Sequence, residues 1–214
     1  MRDSTVGTAW RRVFAALYDA AFILAERRGL RDLRATLIGE ATGRVVELGA
    51  GTGLNLEHYS PSVSSLLLTE PDPFMVARLR KRVGSASNVV VTQSPAEEIP
   101  CADSSVDAVV CTLVLCTVPD PQRVLGEVVR VLRPAGVFLF AEHVRATSPR
   151  AAAWQDRFNH AWGLYACGCN CNRDTMALIR ASPLQLQTTR ADRLRWISPL
   201  IGPLVVGAAV RAES

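Results

Sequence analysis

A glycine-rich turn directly after a short hydrophobic segment constrains the fold of this chain more than any other feature. The segment RVVEL (residues 44–48) has the composition of a buried strand, and it runs into the sequence ELGAGTG (residues 47–53). Glycines allow a tight turn and let a ligand approach the backbone closely. Glu70 ends the next predicted strand, where a carboxylate can accept hydrogen bonds from ribose hydroxyls. The pattern predicts a nucleotide site at the carboxyl ends of two neighbouring parallel strands.

Two better-known glycine-rich patterns do not fit this turn. A dinucleotide fingerprint, G-x-G-x-x-G, would place its third glycine at position 54, which is Leu54. The Lys-Ser/Thr pair of ATP- and GTP-binding loops is also missing, so hydrolysis of those nucleotides is not expected. The pattern that remains is acid-x-G-x-G-x-G.

The chain alternates predicted strands and helices on either side of this turn. Strands are predicted at residues 44–48, 65–69, 88–92, 107–112, 137–141, 184–189 and 204–210, and helices at 54–59, 71–83, 121–132, 151–164 and 173–181. A further helix near the start carries one apolar stripe, formed by Trp10, Phe14, Leu17, Ala21 and Leu24. We therefore expect an α/β fold with a doubly wound, mostly parallel sheet preceded by N-terminal helices. Residues 1–214 are expected to form one domain, with a helical cap (1–43), a ligand-binding core (44–143) and substrate-side helices and last strands (144–214).

Composition limits the classes of function. Hydrophobic residues make up 49% and charged residues 21% of 214 residues, which are values of a globular protein. The net charge of +4 is too small to argue for nucleic-acid binding. The middle of the chain is acidic, with seven cations against eleven acids in residues 45–144, and both flanks are basic. Such a centre suits a cationic ligand.

The sequence predicts a cytoplasmic protein without a membrane span. Its two oily stretches, residues 13–25 and 196–210, are shorter than the roughly 20 apolar residues of a span. Arg11 and Arg12 resemble a twin-arginine export signal, but Asp19 interrupts the apolar run that follows. The N-terminal helix could pack on the domain, cap a pocket or touch a membrane surface weakly.

The six cysteines do not form a disulfide framework, which favours a reducing compartment. Cys167, Cys169 and Cys171 could together hold a soft metal, but no fourth ligand follows at zinc-like spacing, so no metal is expected there. The role of these three cysteines stays open. The other three, Cys101, Cys111 and Cys116, are interpreted as small hydrophobic residues.

Four ordered motifs resemble those of class I S-adenosylmethionine-dependent methyltransferases. They are the turn at residues 47–53, AEEIP (96–100), DSSVD (103–107) and RVLRPAG (130–136). The resemblance covers roughly residues 40–143 and implies a Rossmann-like, seven-stranded sheet whose last strand, residues 204–210, runs antiparallel. It also implies S-adenosylmethionine as the cofactor.

A narrower resemblance is to the methyltransferase-like thiol S-methyltransferases and their bacterial relatives. It is carried by CTLVLCTV (residues 111–118), EHV (142–144), GCN (168–170) and Arg173-Asp174. Animal members have an oily N-terminal membrane anchor; this chain begins almost at the Trp10 helix, so we expect the anchor to be absent or vestigial. The wider family often has an Asp that touches adenine where this chain has Pro95. Adenine contacts are therefore expected from backbone amides near Ala96 and Glu97.

The resemblance implies transfer of a methyl group to a small lipophilic acceptor, which a thiol would satisfy. The alternatives are methylation of a phospholipid or quinone at a membrane surface and a non-catalytic cofactor-binding protein. The expected cofactor-binding residues are Glu47, Gly49, Ala50, Gly51, Gly53, Asn55, Glu70, Pro71, Ala96, Glu97, Thr112 and Leu113. His143 follows the fifth strand, where a neutral imidazole could take a proton from the acceptor; the alternative is a histidine bonded to the loop backbone. The acceptor and the oligomeric state are not specified by the sequence.

Overall fold

Seven strands form one sheet in a computed structural model that describes residues 7–194 and 201–212. The strands are β1 (Gly43–Leu48), β2 (Val63–Thr69), β3 (Val89–Thr92), β4 (Val106–Thr112), β5 (Leu132–His143), β6 (Leu184–Arg193) and β7 (Pro203–Arg211). Their order is β3-β2-β1-β4-β5-β7-β6. The first five pair in parallel, and β7 is antiparallel to β5 and β6. This confirms the predicted fold class and the antiparallel last strand.

Six α-helices cover the sheet in the described part of the chain. They are α1 (Thr8–Ala25), α2 (Arg31–Ile38), α3 (Pro73–Val83), α4 (Pro121–Val131), α5 (Pro149–Tyr165) and α6 (Thr175–Ala181). A π-helical turn at Glu26–Leu30 joins α1 to α2, and the positive φ of Gly29 (122°) bends the chain there. None of these helices is long and apolar enough to cross a membrane. Residues 196–200 of the second oily stretch lie outside the described residues.

Side-chain alternation along the central strands builds two core layers. Val46 and Leu48 of β1 pack into the layer on one face of the sheet, and Val45 packs into the layer on the other. Successive residues of a strand point to opposite faces, so strands with helices on both sides need hydrophobic residues at nearly every position. RVVEL is such a segment, although it includes Glu47, which is buried all the same.

Two helices begin where the sequence signals predict. Asp72 precedes α3 and accepts hydrogen bonds from the backbone N–H groups of Phe74 and Met75, while Asp120 precedes α4 and accepts one from Arg123. In both helices a proline occupies the first turn, where its missing N–H costs nothing. These starts place the α3 N-terminus beside the end of β2.

The predicted helix at 54–59 is wrong. Turns and one 3₁₀ turn, Leu56–His58, occupy this stretch, and Tyr59 is extended (ψ 133°). Pro61 follows two residues later, and the backbone before a proline favours extended conformations, so a helix has no room to continue. Two strands are also longer than predicted, since β5 extends to His143 and β6 to Arg193.

Candidate active site

The glycine loop after β1 can be built only with glycines where it packs tightly. Gly49 has a φ of 56°, and a Cβ there would lie 2.6 Å from Cγ2 of Val114. A Cβ on Gly53 (φ 87°) would lie 2.8 Å from Cδ1 of Leu79. Gly51 also has a φ of 56°, but a Cβ there would meet nothing nearer than the Gly49 carbonyl oxygen at 4.0 Å. The loop is therefore tightly packed at Gly49 and Gly53 and open at Gly51.

Glu70 lies beside this opening. Its carboxylate accepts a hydrogen bond of 2.9 Å from the Gly51 N–H and one of 2.8 Å from the Asp72 N–H. Burial raises the pKa of Glu70, and the two backbone hydrogen bonds oppose that rise. The predicted ribose-binding carboxylate is therefore held against the loop at the end of β2, with Pro71 next to it.

Glu47 belongs to a buried polar network beneath the loop. Its carboxylate accepts hydrogen bonds from Asn55 Nδ2 (2.9 Å) and from the Tyr59 hydroxyl (2.7 Å). Arg34 of α2 donates to Asn55 Oδ1 at 2.6 Å, and both Arg34 and Asn55 donate to the Thr112 hydroxyl. Glu47 thus reaches the loop through Asn55, which is predicted to bind the cofactor as well.

Burial sets the protonation of Glu47. The side chain is 1% exposed, and burial raises its pKa to about 7, although the hydrogen bonds from Tyr59 and Asn55 and the charge of Arg34 oppose the rise. Arg34 also donates to Glu26 at 3.0 Å, so the network contains more than one carboxylate. Sequence reasoning missed Arg34 and Tyr59, because neither belongs to a motif and only the fold brings them to Glu47.

The remaining predicted cofactor residues lie on loops at the same end of the parallel strands. Ala50 donates its N–H to the Thr69 carbonyl at 2.9 Å, and Leu113 has a positive φ of 60° directly after β4. In the loop after β3, the Ala96 side chain is buried in the core, and the Glu97 carboxylate accepts a 3.3 Å hydrogen bond from the Asp120 N–H. Adenine contact by the backbone of this loop stays a prediction.

Helix α1 closes over the glycine loop. Asp19 accepts a hydrogen bond from the Thr52 hydroxyl and pairs with Arg82 of α3, both at 2.5 Å. Near the start of α1, Arg11 pairs with Asp72 at 2.8 Å, and Trp10 donates from Nε1 to the Tyr165 carbonyl of α5 at 3.0 Å. The predicted apolar stripe of α1 is largely exposed, since Trp10, Leu17 and Leu24 are 37%, 57% and 45% exposed. Sequence reasoning missed the polar anchors of the helix, which carry no pattern.

The pKa of the Tyr18 hydroxyl in α1 is raised to about 12. Burial is the main cause of the raised pKa, Arg34 opposes the rise, and Glu70 and Cys116 contribute to it in smaller part. The Tyr18 ring stacks on Phe22 with 4.7 Å between centroids and meets Phe14 edge-on at 5.6 Å. Phe14, Tyr18 and Phe22 therefore pack against one another along α1.

His143 was predicted to follow the fifth strand; it is instead the last residue of β5, and its ring faces two sulfur atoms. Its Nδ1 lies 3.7 Å from the Cys116 Sγ and 3.5 Å from the Cys169 Sγ. Burial alone would lower the pKa of His143, but the Cys116 thiol and the charge of Glu142 outweigh it, so the pKa is raised. Only one member of the C-x-C-x-C segment, Cys169, joins this cluster. The alternative of a ring hydrogen bond to the loop backbone does not occur at Nε2, which is buried without a partner.

Comparison with known proteins places this site in a family. Residues 46–140 match the methyltransferase domain family Methyltransf_11. The human thiol S-methyltransferase TMT1A is 36% identical over 208 residues, which cover 92% of this chain and 83% of that protein. Human thiol S-methyltransferase TMT1B is 38% identical over 180 residues, covering 80% and 72%. A solved structure of an S-adenosylmethionine-dependent methyltransferase from Thermotoga maritima superposes with a TM-score of 0.69 and 21% identity, covering 95% of this chain and 98% of that one.

The identities over most of both chains, the matched domain and the sheet order agree with one another. The glycine loop, Glu70 and the buried network around Glu47 occupy the ends of the strands where the four motifs had predicted a cofactor site. The chain is a methyltransferase that belongs to the class I S-adenosylmethionine-dependent family, in the branch that contains the thiol S-methyltransferases TMT1A and TMT1B.

Proposed function

We propose that this enzyme transfers a methyl group from S-adenosylmethionine to the sulfur of a small lipophilic thiol. The observation that carries the proposal is the 36% identity to a thiol S-methyltransferase across 92% of this chain, together with a cofactor loop whose parts are all in place.

The residues of the loop fit this cofactor. The backbone is open at Gly51, and Glu70 stands beside it with its carboxylate oriented by two N–H groups. When bound, S-adenosylmethionine supplies a methyl group on a positively charged sulfur. Glu70 holds its carboxylate at the predicted ribose position, and Glu47, whose pKa burial raises to about 7, acts toward the amino-acid end through its hydrogen bond with Asn55.

The protein itself has to align the acceptor sulfur with the methyl group of the cofactor and to exclude water from the site. Asp19 holds α1 against the glycine loop through Thr52. Phe14 and Tyr18 offer the apolar surface that suits a lipophilic acceptor. A thiol reacts as the thiolate, so the site must also favour loss of the acceptor's proton.

A panel of acceptors tests the proposal. Purified protein is incubated with S-adenosylmethionine and with thiols, amines, phenols or phospholipid vesicles, and S-adenosylhomocysteine is quantified. We expect saturable turnover with lipophilic thiols and little with the other classes. Turnover confined to phospholipid or to amines would contradict the proposal, and cofactor binding without turnover on any acceptor would favour the non-catalytic alternative.

The Glu70→Gln variant ties the turnover to this site. We expect its affinity for S-adenosylmethionine to fall about 10- to 100-fold, the equivalent of losing about 1.5–3 kcal/mol of charge-assisted hydrogen bonding. Calorimetric titration measures the change, and Glu40→Gln, an exposed position at the end of α2, is the matched control. If folded Glu70→Gln binds S-adenosylmethionine as tightly as the wild type, Glu70 is not part of the cofactor site.

A further inference from the structure

Three potential metal ligands from distant parts of the sequence meet at the carboxyl end of the sheet. Cys116 lies in the turn after β4, His143 ends β5, and Cys169 lies in the loop after α5. The Sγ atoms of Cys116 and Cys169 are 3.6 Å apart, and His143 Nδ1 lies 3.7 Å from the first and 3.5 Å from the second. The three ligand atoms form a nearly equilateral triangle.

The sides of this triangle match those of a zinc site. With Zn–S bonds of about 2.3 Å and Zn–N bonds of about 2.0–2.1 Å, tetrahedral angles put two sulfurs about 3.8 Å apart and a sulfur and a nitrogen about 3.6 Å apart. The observed separations of 3.6, 3.7 and 3.5 Å are within 0.2 Å of these values. One ion can therefore reach all three atoms with little movement of the side chains.

The imidazole of His143 is otherwise poorly satisfied. The side chain is 6% exposed, Nε2 is buried without a partner, and the described contacts of Nδ1 are the two sulfurs. Sulfur is a weak hydrogen-bond acceptor, and a buried polar atom without a good partner is costly. A metal on Nδ1 gives this ring a strong interaction that the protein alone does not provide.

Hydrogen bonds hold the backbone around the three ligands in place, as a preformed metal site requires. Asn170 donates its backbone N–H to the Cys116 carbonyl at 2.7 Å, which ties the loop of Cys169 to that of Cys116. Arg173 donates to the carbonyls of Leu115 and Val118 on either side of Cys116, and Thr175 donates its hydroxyl to the His143 carbonyl at 2.9 Å. Bonds of this kind hold ligands in place before a metal binds.

Charge and ligand type favour a divalent, thiophilic cation. Two thiolates and a neutral imidazole around Zn²⁺ carry no net charge, so the three-ligand site can be buried without an unpaired ion before the acceptor binds. Sulfur and imidazole ligands select zinc over magnesium or calcium, which prefer oxygen. Cys116, His143 and Cys169 are 1%, 6% and 5% exposed, which excludes a loosely held surface ion.

We propose that Cys116, His143 and Cys169 bind one Zn²⁺ and leave its fourth position to an external thiol. Among the described residues no fourth Cys, His, Asp or Glu joins the cluster, and three protein ligands with an open position are typical of catalytic rather than structural zinc. This assignment rests on the proposed function: the fourth ligand is the acceptor, whose thiol binds zinc as a thiolate and releases its proton to the solvent. His143 then acts as a ligand, and a separate proton acceptor is not needed.

The site differs from the metal question that the sequence raised. The sequence predicted no metal site, and the candidate weighed there was the segment with Cys167, Cys169 and Cys171, so the proposed zinc departs from that prediction. The proposed site takes one cysteine from that segment and joins it to residues 26 and 53 positions away. The cluster lies after β4, at the end of β5 and in the loop tied to Cys116 by Asn170, which is the same end of the parallel strands as the glycine loop.

Zinc content tests the proposal directly. Protein is purified without chelators or a metal-affinity step, and zinc is quantified by mass spectrometry in the wild type and in Cys116→Ser and Cys169→Ser. The matched controls are Cys101→Ser and Cys167→Ser, two half-buried cysteines outside the cluster. We expect one zinc per chain in the wild type and the controls, and a loss of at least tenfold in the two cluster variants.

Cobalt substitution provides a second measurement that needs no variant. Co²⁺ added to the metal-free wild type should give the intense visible bands of a tetrahedral site and a thiolate charge-transfer band, and a small lipophilic thiol should shift these bands. A metal-free protein without these bands would overturn the site. The site would also be overturned if titration of the free thiols finds two fewer than expected and a reductant restores them, because Cys116 and Cys169 would then form a disulfide. Bands that the added thiol leaves unchanged would overturn the fourth-ligand assignment.

The assay for S-adenosylhomocysteine separates this proposal from the function on which it rests. Zinc-loaded protein that methylates no thiol would contradict the proposed function and leave the site standing. Zinc-free protein with full thiol turnover would contradict the site and leave the function standing.

Discussion

Gly49 and Gly51 share a backbone conformation but have different surroundings. Both have a φ of 56°, yet a Cβ on Gly49 would overlap Val114 whereas one on Gly51 would enter open space. The two glycines therefore serve different needs, since Gly49 lets β4 pack against the loop and Gly51 leaves room above it. Adding one methyl group at either position, as alanine does, therefore tests the contribution of the loop to stability separately from its contribution to cofactor binding.

Alanine at the two positions should give opposite patterns. Both variants place a non-glycine residue at positive φ, at a cost of about 1–2 kcal/mol. Gly49→Ala should lose about 1–3 kcal/mol more in the free energy of unfolding, because the methyl group overpacks against Val114. Gly51→Ala should unfold at higher urea concentration than Gly49→Ala and yet bind S-adenosylmethionine poorly. Equal stability of the two variants, or normal affinity in Gly51→Ala, would contradict this interpretation of the loop.

Glu47 should make stability depend on pH near neutrality. Its pKa in the folded protein is about 7, against an ordinary value of 4.5, because of burial. Unfolding then favours ionisation, so the contribution of protonated Glu47 to stability is complete below about pH 4.5 and is lost as the pH rises through about 7. The full loss is at most about 3 kcal/mol.

Urea unfolding of the wild type and Glu47→Gln at pH 5 and pH 8 measures this contribution. Glutamine resembles the protonated acid in shape and cannot ionise, so it is the matched reference for the neutral form. We expect the stability of the wild type relative to Glu47→Gln to decrease from pH 5 to pH 8. A constant difference between the two proteins would show that Glu47 ionises normally in the folded state.

At the scale of the elements, polar contacts at the middle and at the start of α1 attach this helix to the glycine loop and to the N-terminus of α3. Asp19 contacts both Thr52 of the loop and Arg82 of α3, so one side chain joins three elements. Asp19 and Arg82 are each about one-third exposed, so the ion pair itself contributes little to global stability. Its effect should instead be on the position of α1 over the site.

Asp19→Asn should loosen this attachment while leaving the sheet intact. We expect the KM for the lipophilic thiol to rise severalfold and α1 to be cleaved sooner in limited proteolysis, with less than about 1 kcal/mol lost in the free energy of unfolding. Asp32→Asn, at an exposed position on α2, serves as the control. Unchanged KM and unchanged proteolysis would show that α1 is held by its apolar contacts alone.

At the scale of the whole molecule, exposed apolar side chains gather on the two basic flanks of the chain. Val13, Leu17 and Ile23 of α1 are exposed, as are Trp154 and Phe158 of α5. The Trp10–Tyr165 contact joins the two helices, with 5.7 Å between ring centroids. Exposed apolar residues combined with basic charge favour contact with anionic lipid surfaces.

Flotation with vesicles tests the predicted membrane-surface contact. We expect weak binding to anionic vesicles that falls with added salt, and weaker binding still in Leu17→Gln. Val90→Gln is the matched control, because Val90 is 58% exposed and Leu17 57%, but Val90 lies on the edge strand β3 and not on α1. Absence of the wild type from the floating fraction, or equal loss in both variants, would show that this surface does not contact lipid. The assay leaves the choice between thiol and phospholipid acceptors to turnover measurements.

Sequence by itself determined the features that depend on neighbours along the chain. Hydrophobic strands, proline and aspartate at helix starts, and the spacing from ELGAGTG to Glu70 each act within one or two elements, so composition and order were enough to predict the sheet and the cofactor loop. The helix expected at 54–59 failed because Pro61 and the short connection to β2 limit that stretch more than its own residues favour a helix. The domain subdivision and the individual cofactor contacts stay predictions.

Only the tertiary structure decided which distant side chains share a site. Arg34 reaches Asn55 across 21 positions, Asp19 reaches Thr52 across 33, and Cys116 meets Cys169 across 53. No periodicity or motif encodes these contacts. They arise because the parallel strands end at one edge of the sheet and because α1 and the loop after α5 pack at that edge. Read alone, the sequence pairs Cys169 with its neighbours in C-x-C-x-C; the fold places it beside Cys116 and His143, because loops after α5 and β4 are tied together there by the hydrogen bond from Asn170 to Cys116.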